Sequence, residues 1–223
     1  MKLLLWDIDG TLLSTGYQGR DLMHSVGRRL FGTSFSLDGK QLGGQVDLAL
    51  FHHAMNAGGY EPTDTHWRSF REAFVEALRA ALHETRDALR VMPGVVELIN
   101  VFDQRDDVVN GMVTGNFREA ALAKLEAARI DHAIFRPTAF GCESHDRNEL
   151  VRLAIQRGGH GFKGHDVIVI GDTARDVACA KANGAFAFAV ATGHQSREQL
   201  LEAGADVAVE HLGDSSSILE LLD

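Results

Sequence analysis

The sequence predicts an α/β fold: a Rossmann-like parallel sheet core with an inserted all-helical domain. Three observations carry this. Residues 90–223 alternate apolar strand runs with helical periods, which is the pattern of a parallel sheet with helices on both faces. The chain opens on a further apolar run, Leu3-Leu4-Leu5-Trp6, of the length expected for a buried strand. Between them lies a block, residues 15–88, with helical spacing and no convincing strand. The expected division is residues 1–14 and 89–223 as core, with residues 15–88 inserted.

Each element follows from local chemistry. After Leu3–Trp6, Gly10 permits a sharp turn. Leu22, Val26, Arg29 and Leu30 fit a helical period that ends near Phe31-Gly32, and a polar loop runs from Gly32 to Gln45. Val46 to Ala57 reads as a second helix, closed by Gly58-Gly59. Pro62-Thr63-Asp64 is a start signal. Behind it Trp67, Phe70, Phe74, Leu78 and Leu82 recur at three- and four-residue spacing, so a helix is expected from Thr65 to about Leu89. Pro93 precedes a helix over Val95–Phe102. A strand is expected over Val108–Val113. Asn116-Phe117-Arg118-Glu119 has the form of a capping box opening a helix to Ala128. A short strand within Ala133–Phe140, a helix over Arg147–Arg157 and the strand Val167–Ile170 follow. The helix Thr173–Asn183 is stopped by Gly184. A strand from Phe186, a helix from Ser196, a strand at Val207–Val209 and a helix from Ser215 complete the pattern.

Composition bounds the function. The 223 residues carry a net charge of -9, which argues against a nucleic-acid surface, since that needs a basic face. An anionic substrate is still compatible, because a few local cations and a metal can hold one. Cys142 and Cys179 lie far apart and in no paired motif, as in a reducing compartment. No apolar run approaches the roughly 20 residues of a membrane span. The Leu3–Trp6 run ends at Asp7, too soon for a signal-peptide core. A cytoplasmic protein that binds no membrane is therefore expected. No interface signature indicates an oligomeric state.

The chemistry gathers at strand ends. Asp7 and Asp9 follow the first strand, two residues apart and on one side of it. Such a pair suggests a Mg²⁺ site or an acid–base pair; as isolated residues they are also ordinary turn formers. Thr114-Gly115-Asn116 follows Val108–Val113, Arg147 follows the strand near Phe140, and Gly171-Asp172-Thr173-Ala174-Arg175-Asp176 follows Val167–Ile170. In a parallel sheet these segments converge on one edge. Carboxylates, a hydroxyl, a guanidinium and helix N-termini in one place suit phosphoryl transfer. Thr173-x-x-Asp176 is equally the form of a capping box.

On these residues the chain resembles the haloacid dehalogenase superfamily, and within it the phosphoglycolate-phosphatase-like members with a helical cap inserted after the first motif. The resemblance implies that Asp7, in Asp7-Ile8-Asp9-Gly10-Thr11-Leu12, is a nucleophile forming an aspartyl-phosphate. Asp9 would be the general acid/base and would lend its backbone carbonyl to Mg²⁺. Thr114 would bind phosphate, with Gly115 and Asn116 as substrate contacts. Asp172 would be a metal ligand, and Asp176 a ligand or its partner. Family members often place a lysine before a proline-rich segment at the third motif. This chain has Arg147 in His145-Asp146-Arg147-Asn148-Glu149-Leu150, with Arg152 as second choice. Over the site the resemblance places cap residues Tyr17, Arg20, His24 and Gly43-Gly44-Gln45-Val46-Asp47.

The expected activity is hydrolysis of a small phosphorylated metabolite. An acid at position 9 favours this over dehalogenation, because a halide leaves without a proton. The rivals are a phosphomutase on the same scaffold and a catalytically silent binding protein. A nucleotide-binding protein is disfavoured, because Asp-x-Asp-Gly stands where the glycine fingerprint belongs.

Overall fold

The computed structural model describes residues 1–16, 19–38, 43–159, 161–213 and 216–222, with the side chains at 20, 216 and 217 outside that description. Strand β1 (Lys2–Trp6) is buried throughout its apolar run. Alternation sends Leu3 and Leu5 into one apolar cluster and Leu4 and Trp6 into another. The chain turns at Gly10, at φ 82°, into a two-residue strand β2 (Leu13–Ser14). Helices α1 (Gly19–Phe31), α2 (Asp47–Ala57) and α3 (Asp64–Glu84) follow, and β3 (Arg90–Val91) returns antiparallel to β2. This small pair, through which the chain leaves and re-enters the sheet region, escaped the sequence reading. Two residues are too few to show a period.

The remainder alternates. Helix α4 (Val95–Asp103) leads to β4 (Val108–Thr114), α5 (Arg118–Ala127), β5 (Thr138–Phe140) and α6 (Arg147–Gly158). Then come β6 (Val167–Gly171), α7 (Ala174–Ala182), β7 (Phe186–Val190), α8 (Arg197–Glu202), β8 (Val207–Val209) and α9 (Ser216–Glu220). The sheet has the order β5-β4-β1-β6-β7-β8, parallel at every pairing. From β1 the chain builds outward through β4 and β5 on one side and through β6, β7 and β8 on the other. The order therefore reverses at β1, which puts the ligand-binding crevice of such a sheet beyond the C-terminal end of β1 and its neighbours.

Helices α4 and α5 cover one face through Leu98, Ile99, Phe102, Ala121 and Leu125. Helices α6, α7 and α8 cover the other through Leu150, Val151, Ala154, Val177 and Leu200. A third cluster joins α1, α2 and α3 around Phe35, Phe51, Phe70 and Phe74, and is completed by Phe117, Ala120 and Ala123 beside and on α5. No helix among the described residues is long and apolar enough to cross a membrane.

Two boundaries differ from expectation. Helix α3 ends at Glu84, short of Leu89. The Thr85 hydroxyl donates to the Ala81 carbonyl at 2.8 Å, and this local bond competes with continuation of the helix. The expected capping box at Asn116 is not formed. The N-cap of α5 is Phe117, with no side-chain cap of its own. Asp47 takes that role from α2, accepting the Phe117 N–H at 3.0 Å, where a carboxylate also favours the helix dipole. Asn116 is thereby free for other partners.

Candidate active site

Asp7 stands one residue past β1, 6 % exposed, its N–H bonded to the Ile170 carbonyl of β6 at 3.0 Å. Asp172 follows β6 and Asp176 lies in the first turn of α7, and both are buried. One oxygen from each of Asp7, Asp172 and Asp176 lies within 4.8 Å of the others. The close approach of these segments requires glycine. A Cβ at Gly10 would fall 2.3 Å from Asp172 Oδ2, and one at Gly193, after β7, would fall 1.8 Å from it.

The one guanidinium inside this cluster, among the described residues, belongs to Arg147 at the start of α6. Its Nη2 lies 3.0 Å from Asp7 Oδ1 and 2.5 Å from Asp176 Oδ1. Asp176 also accepts from the Thr173 backbone and hydroxyl and closes a full capping box on α7. Asp176 thus forms the capping box and also lies in the carboxylate cluster beside Arg147. Arg152, the second choice for the third motif, is instead exposed and paired with Glu149.

Burial sets the charges. It pushes the Asp7 carboxyl up to about 6, against the pull of Arg147 and with the help of Asp176 and Asp9. Burial, with Asp176 and Asp7 beside it, pushes Asp172 up to about 8. Burial works against the Arg147 charge, but Asp176 and Asp7 outweigh it and hold the guanidinium protonated. One cation among three carboxylates leaves the pocket short of positive charge.

Asp9 points elsewhere. Its carboxylate is 45 % exposed and binds Lys124 Nζ through both oxygens, at 2.8 and 2.6 Å. Asn116 Nδ2 donates to Asp9 Oδ2 at 2.7 Å and to Thr114 Oγ1 at 2.8 Å. Thr114 is fully buried at the end of β4. Asp9, Thr114 and Asn116 thus form one hydrogen-bonded group beside the three-carboxylate cluster.

The segment 43–48 roofs the site. Arg175 donates to the Gly43 carbonyl at 2.6 Å and Arg147 Nη1 to the Gly44 carbonyl at 3.2 Å. The Asp47 N–H bonds the Gly115 carbonyl at 2.8 Å, and the Leu48 N–H bonds that of Gly141 at 3.3 Å. Gly115 touches Gln45 so closely that a Cβ would fall 1.8 Å from its carbonyl oxygen. Burial pushes the Asp47 carboxyl up to about 7, against the opposing pull of Lys124 and the Phe117 N–H.

The structure therefore brings together Asp7, Asp9, Thr114, Gly115, Asn116, Arg147, Asp172, Asp176 and the backbone of Gln45. Arg20 lies in α1, its side chain outside the described set, and Tyr17 lies outside the described residues. His24 also lies on α1, its buried Nε2 without a hydrogen-bond partner among the described residues. Sequence reasoning missed Lys124. The signal was a lysine at helical spacing from Ala120 and Ala121, on the apolar face of α5. It also missed Thr11, which donates to Asp172 Oδ1 at 3.3 Å, and Thr192, which donates to the Gly10 carbonyl at 2.5 Å.

Over residues 1–184 the chain matches the family described as haloacid dehalogenase-like hydrolase. No curated protein matches it. Among solved structures it is similar to a hydrolase from Pseudomonas syringae, at 20% identity and a TM-score of 0.71, covering 99% of this chain and 98% of that one. It is similar to a protein from Haemophilus somnus named as a predicted phosphoglycolate phosphatase, at 18% identity, a TM-score of 0.68 and 98% of each chain. It also resembles a protein from Bacteroides vulgatus named as a candidate β-phosphoglucomutase, at 19% identity and a TM-score of 0.67, covering 100% of this chain and 88% of that one. At such identities these structures speak for the fold; the family match over residues 1–184 shows that the chain belongs to the haloacid dehalogenase-like hydrolases.

Proposed function

We propose that this hydrolase is a Mg²⁺-dependent phosphatase of a small phosphomonoester, working through an aspartyl-phosphate on Asp7. The observation that carries the reading is the buried cluster of Asp7, Asp172 and Asp176, with Arg147 inside it. The donor set fits a hard divalent ion. All three groups offer carboxylate oxygens, gathered within 4.8 Å of one another, and these are the hard donors that such an ion takes. Asp7, Asp172 and the Asp9 carbonyl would hold Mg²⁺, with Asp176 as a further ligand or as the anchor of Arg147. Bound there, the ion supplies charge neutralisation between carboxylate and phosphate dianion.

The chain's own groups account for the rest. Arg147 holds Asp7 in place and offers its fork to the phosphoryl oxygens. Asp7 attacks phosphorus, the ester P–O bond breaks, and its electron pair leaves with the alcohol oxygen. Asp9 supplies that oxygen with a proton. The carboxylate left on Asp9 then takes a proton from water as the water oxygen attacks phosphorus. The bond from phosphorus to Asp7 breaks, returning free Asp7, inorganic phosphate and protonated Asp9. Thr114 Oγ1, which accepts from Asn116, would bind phosphate.

A panel of small alkyl and aryl phosphate esters, with Mg²⁺ and with chelator, tests the reading. Inorganic phosphate release that depends on Mg²⁺ supports it, and an inactive chain or full activity in chelator overturns it. The fold shared with the Bacteroides vulgatus protein favours a mutase as the second reading. A mutase returns the phosphoryl group to a sugar, so little inorganic phosphate appears. A silent binding protein has no use for the complete acidic set.

In this reading residues 15–88 form a cap domain that closes over the site, excludes water during the first transfer and reopens for hydrolysis. Its support is the backbone docking of 43–48 onto Arg147, Arg175, Gly115 and Gly141. Gln45→Ala is expected to change the ranking of substrates in the panel while leaving the Mg²⁺ requirement unchanged, and Arg20→Ala to do the same. An unmoved ranking places selectivity in the sheet core.

The raised carboxyls give a pH test with a definite sign. Asp7, Asp47 and Asp172 stand at about 6, 7 and 8 in the folded chain, against 3.8 for an ordinary aspartate. Between those values the folded state binds more protons than the unfolded state. Stability from these groups is complete below the ordinary value and falls as pH rises through the folded ones. Without metal, Tm is expected to drop from pH 5 to pH 8. Mg²⁺ displaces protons from Asp7 and Asp172, so the Tm gain it gives grows over the same range. Thermal melts at several pH values, with chelator and with Mg²⁺, check both; a Tm gain that shrinks with rising pH refutes the ligand set.

A further inference from the structure

The steps above leave the Lys124 ammonium without a task. Lys124 is 6 % exposed, and lysine is seldom buried so far unless it is paired. Its Nζ lies 2.8 and 2.6 Å from the two Asp9 oxygens and 2.7 Å from Asn116 Oδ1. Asn116 Nδ2 closes the group on Asp9 Oδ2 at 2.7 Å. Both oxygens of Asp9 are therefore bound, and the plane of its carboxylate is fixed from a single rigid base, the end of β4 and helix α5. The local sequence makes the base. Ala120, Ala121 and Ala123 are buried on the same helix, and small side chains leave room for a lysine stem on an apolar face.

A purely structural ion pair is a poor account of this arrangement. Lys124 gives up nearly all its hydration, whereas its partner carboxylate stays 45 % exposed. Such a pair, with Asp47 also in the field of the ammonium, is weak evidence for stability, and an apolar residue in α5 would often serve it as well. What the pair does achieve is orientation of a side chain that otherwise stands in solvent with free rotamers.

We propose that Lys124 is a positioning residue for proton transfer: it holds the Asp9 carboxylate in the orientation that meets the leaving-group oxygen, and acts only through Asp9. The inference rests on the phosphatase reading above and deepens it.

The leaving group separates this role from a structural one. An alkyl ester leaves as a strongly basic alkoxide and needs the Asp9 proton. 4-Nitrophenyl phosphate leaves as a weakly basic phenolate and needs little help. The quantity to compare is kcat/KM, which covers steps only through the first transfer, so hydrolysis of the intermediate does not enter. Lys124→Met is expected to lower kcat/KM for the best alkyl ester of the panel by about 10- to 100-fold, the usual cost of a misplaced acid. For 4-nitrophenyl phosphate the loss stays within about threefold on the same grounds. Adding Lys124→Met to Asp9→Asn costs less than about twofold further, since the two act as one unit. The Tm gain from Mg²⁺ is retained. Equal losses on both esters, or a full further loss in the double variant, overturn the inference while the phosphatase reading stands. A wild-type chain inactive on every ester overturns the phosphatase reading and this inference with it.

Discussion

Asp7→Asn is expected to lose turnover of phosphate esters by at least about 10³-fold in kcat, in keeping with the loss of a nucleophile, while the fold stays intact. The amide matches the carboxylate in size and keeps one oxygen to accept from Arg147, which also retains Asp176. What changes is charge. Asp7 pushes the Asp172 carboxyl upward, while Asp176 and Asp9 push that of Asp7, so the neutral variant relieves repulsion in the absence of metal. Its Tm in chelator is expected to equal or exceed that of the wild type. Its Tm gain from Mg²⁺ shrinks, because one ligand carries less charge. Activity assays beside melts in chelator and in Mg²⁺ separate the effects. Loss of activity with a lower Tm in chelator would mean that Asp7 serves the fold; retained activity would remove it as nucleophile.

The sheet was legible because its strands are short apolar runs set between helical periods, and parallel order follows from that alternation. The acidic residues were legible because they stand directly after those runs at Asp7 and Asp172. What escaped depends on contacts between segments distant in the chain. Lys124 looks like any helical lysine until Asp9, 115 residues away, is placed against it. Asp47 was read among the residues over the site, yet it caps a helix 70 residues further on. That contact replaced the local cap expected at Asn116, whose side chain went to Asp9 and Thr114 instead. The pair β2–β3 spans an insertion, and nothing in either strand's two residues announces the other. Gly193 has no local motif, and its need for glycine appears only when Asp172 lies against it.

Arg147 carries the largest stability effect at the site. It is 8 % exposed and joins Asp7 and Asp176, and its second nitrogen reaches the Gly44 carbonyl of the roof. Arg147→Met keeps most of the volume and removes the cation, leaving buried carboxylates facing one another. Removing one partner of a buried ion pair costs about 3–5 kcal/mol, and that range is expected for metal-free protein near neutral pH. The cost has a sign with pH. At low pH Asp7 and Asp172 take up protons and the repulsion fades, so the deficit against wild type narrows as pH falls toward 5. Mg²⁺ restores positive charge to the same cluster, so the deficit is also smaller with the ion than with chelator. Activity is not restored in parallel, because the fork that grips phosphoryl oxygens is gone; a loss of about 10²- to 10³-fold in kcat is expected, as for other preorganised donors. Arg147→Lys divides the two roles. A point charge still neutralises Asp7 and Asp176, so stability largely returns. The planar fork that bridges the carboxylates and reaches Gly44 is absent, so activity does not. Denaturant melts of the three proteins at pH 5 and pH 8, with chelator and with Mg²⁺, measure the stability side. If Arg147→Met is as stable as wild type in chelator at pH 8, the cluster does not depend on this cation, and Arg147 loses its assigned place at the third motif.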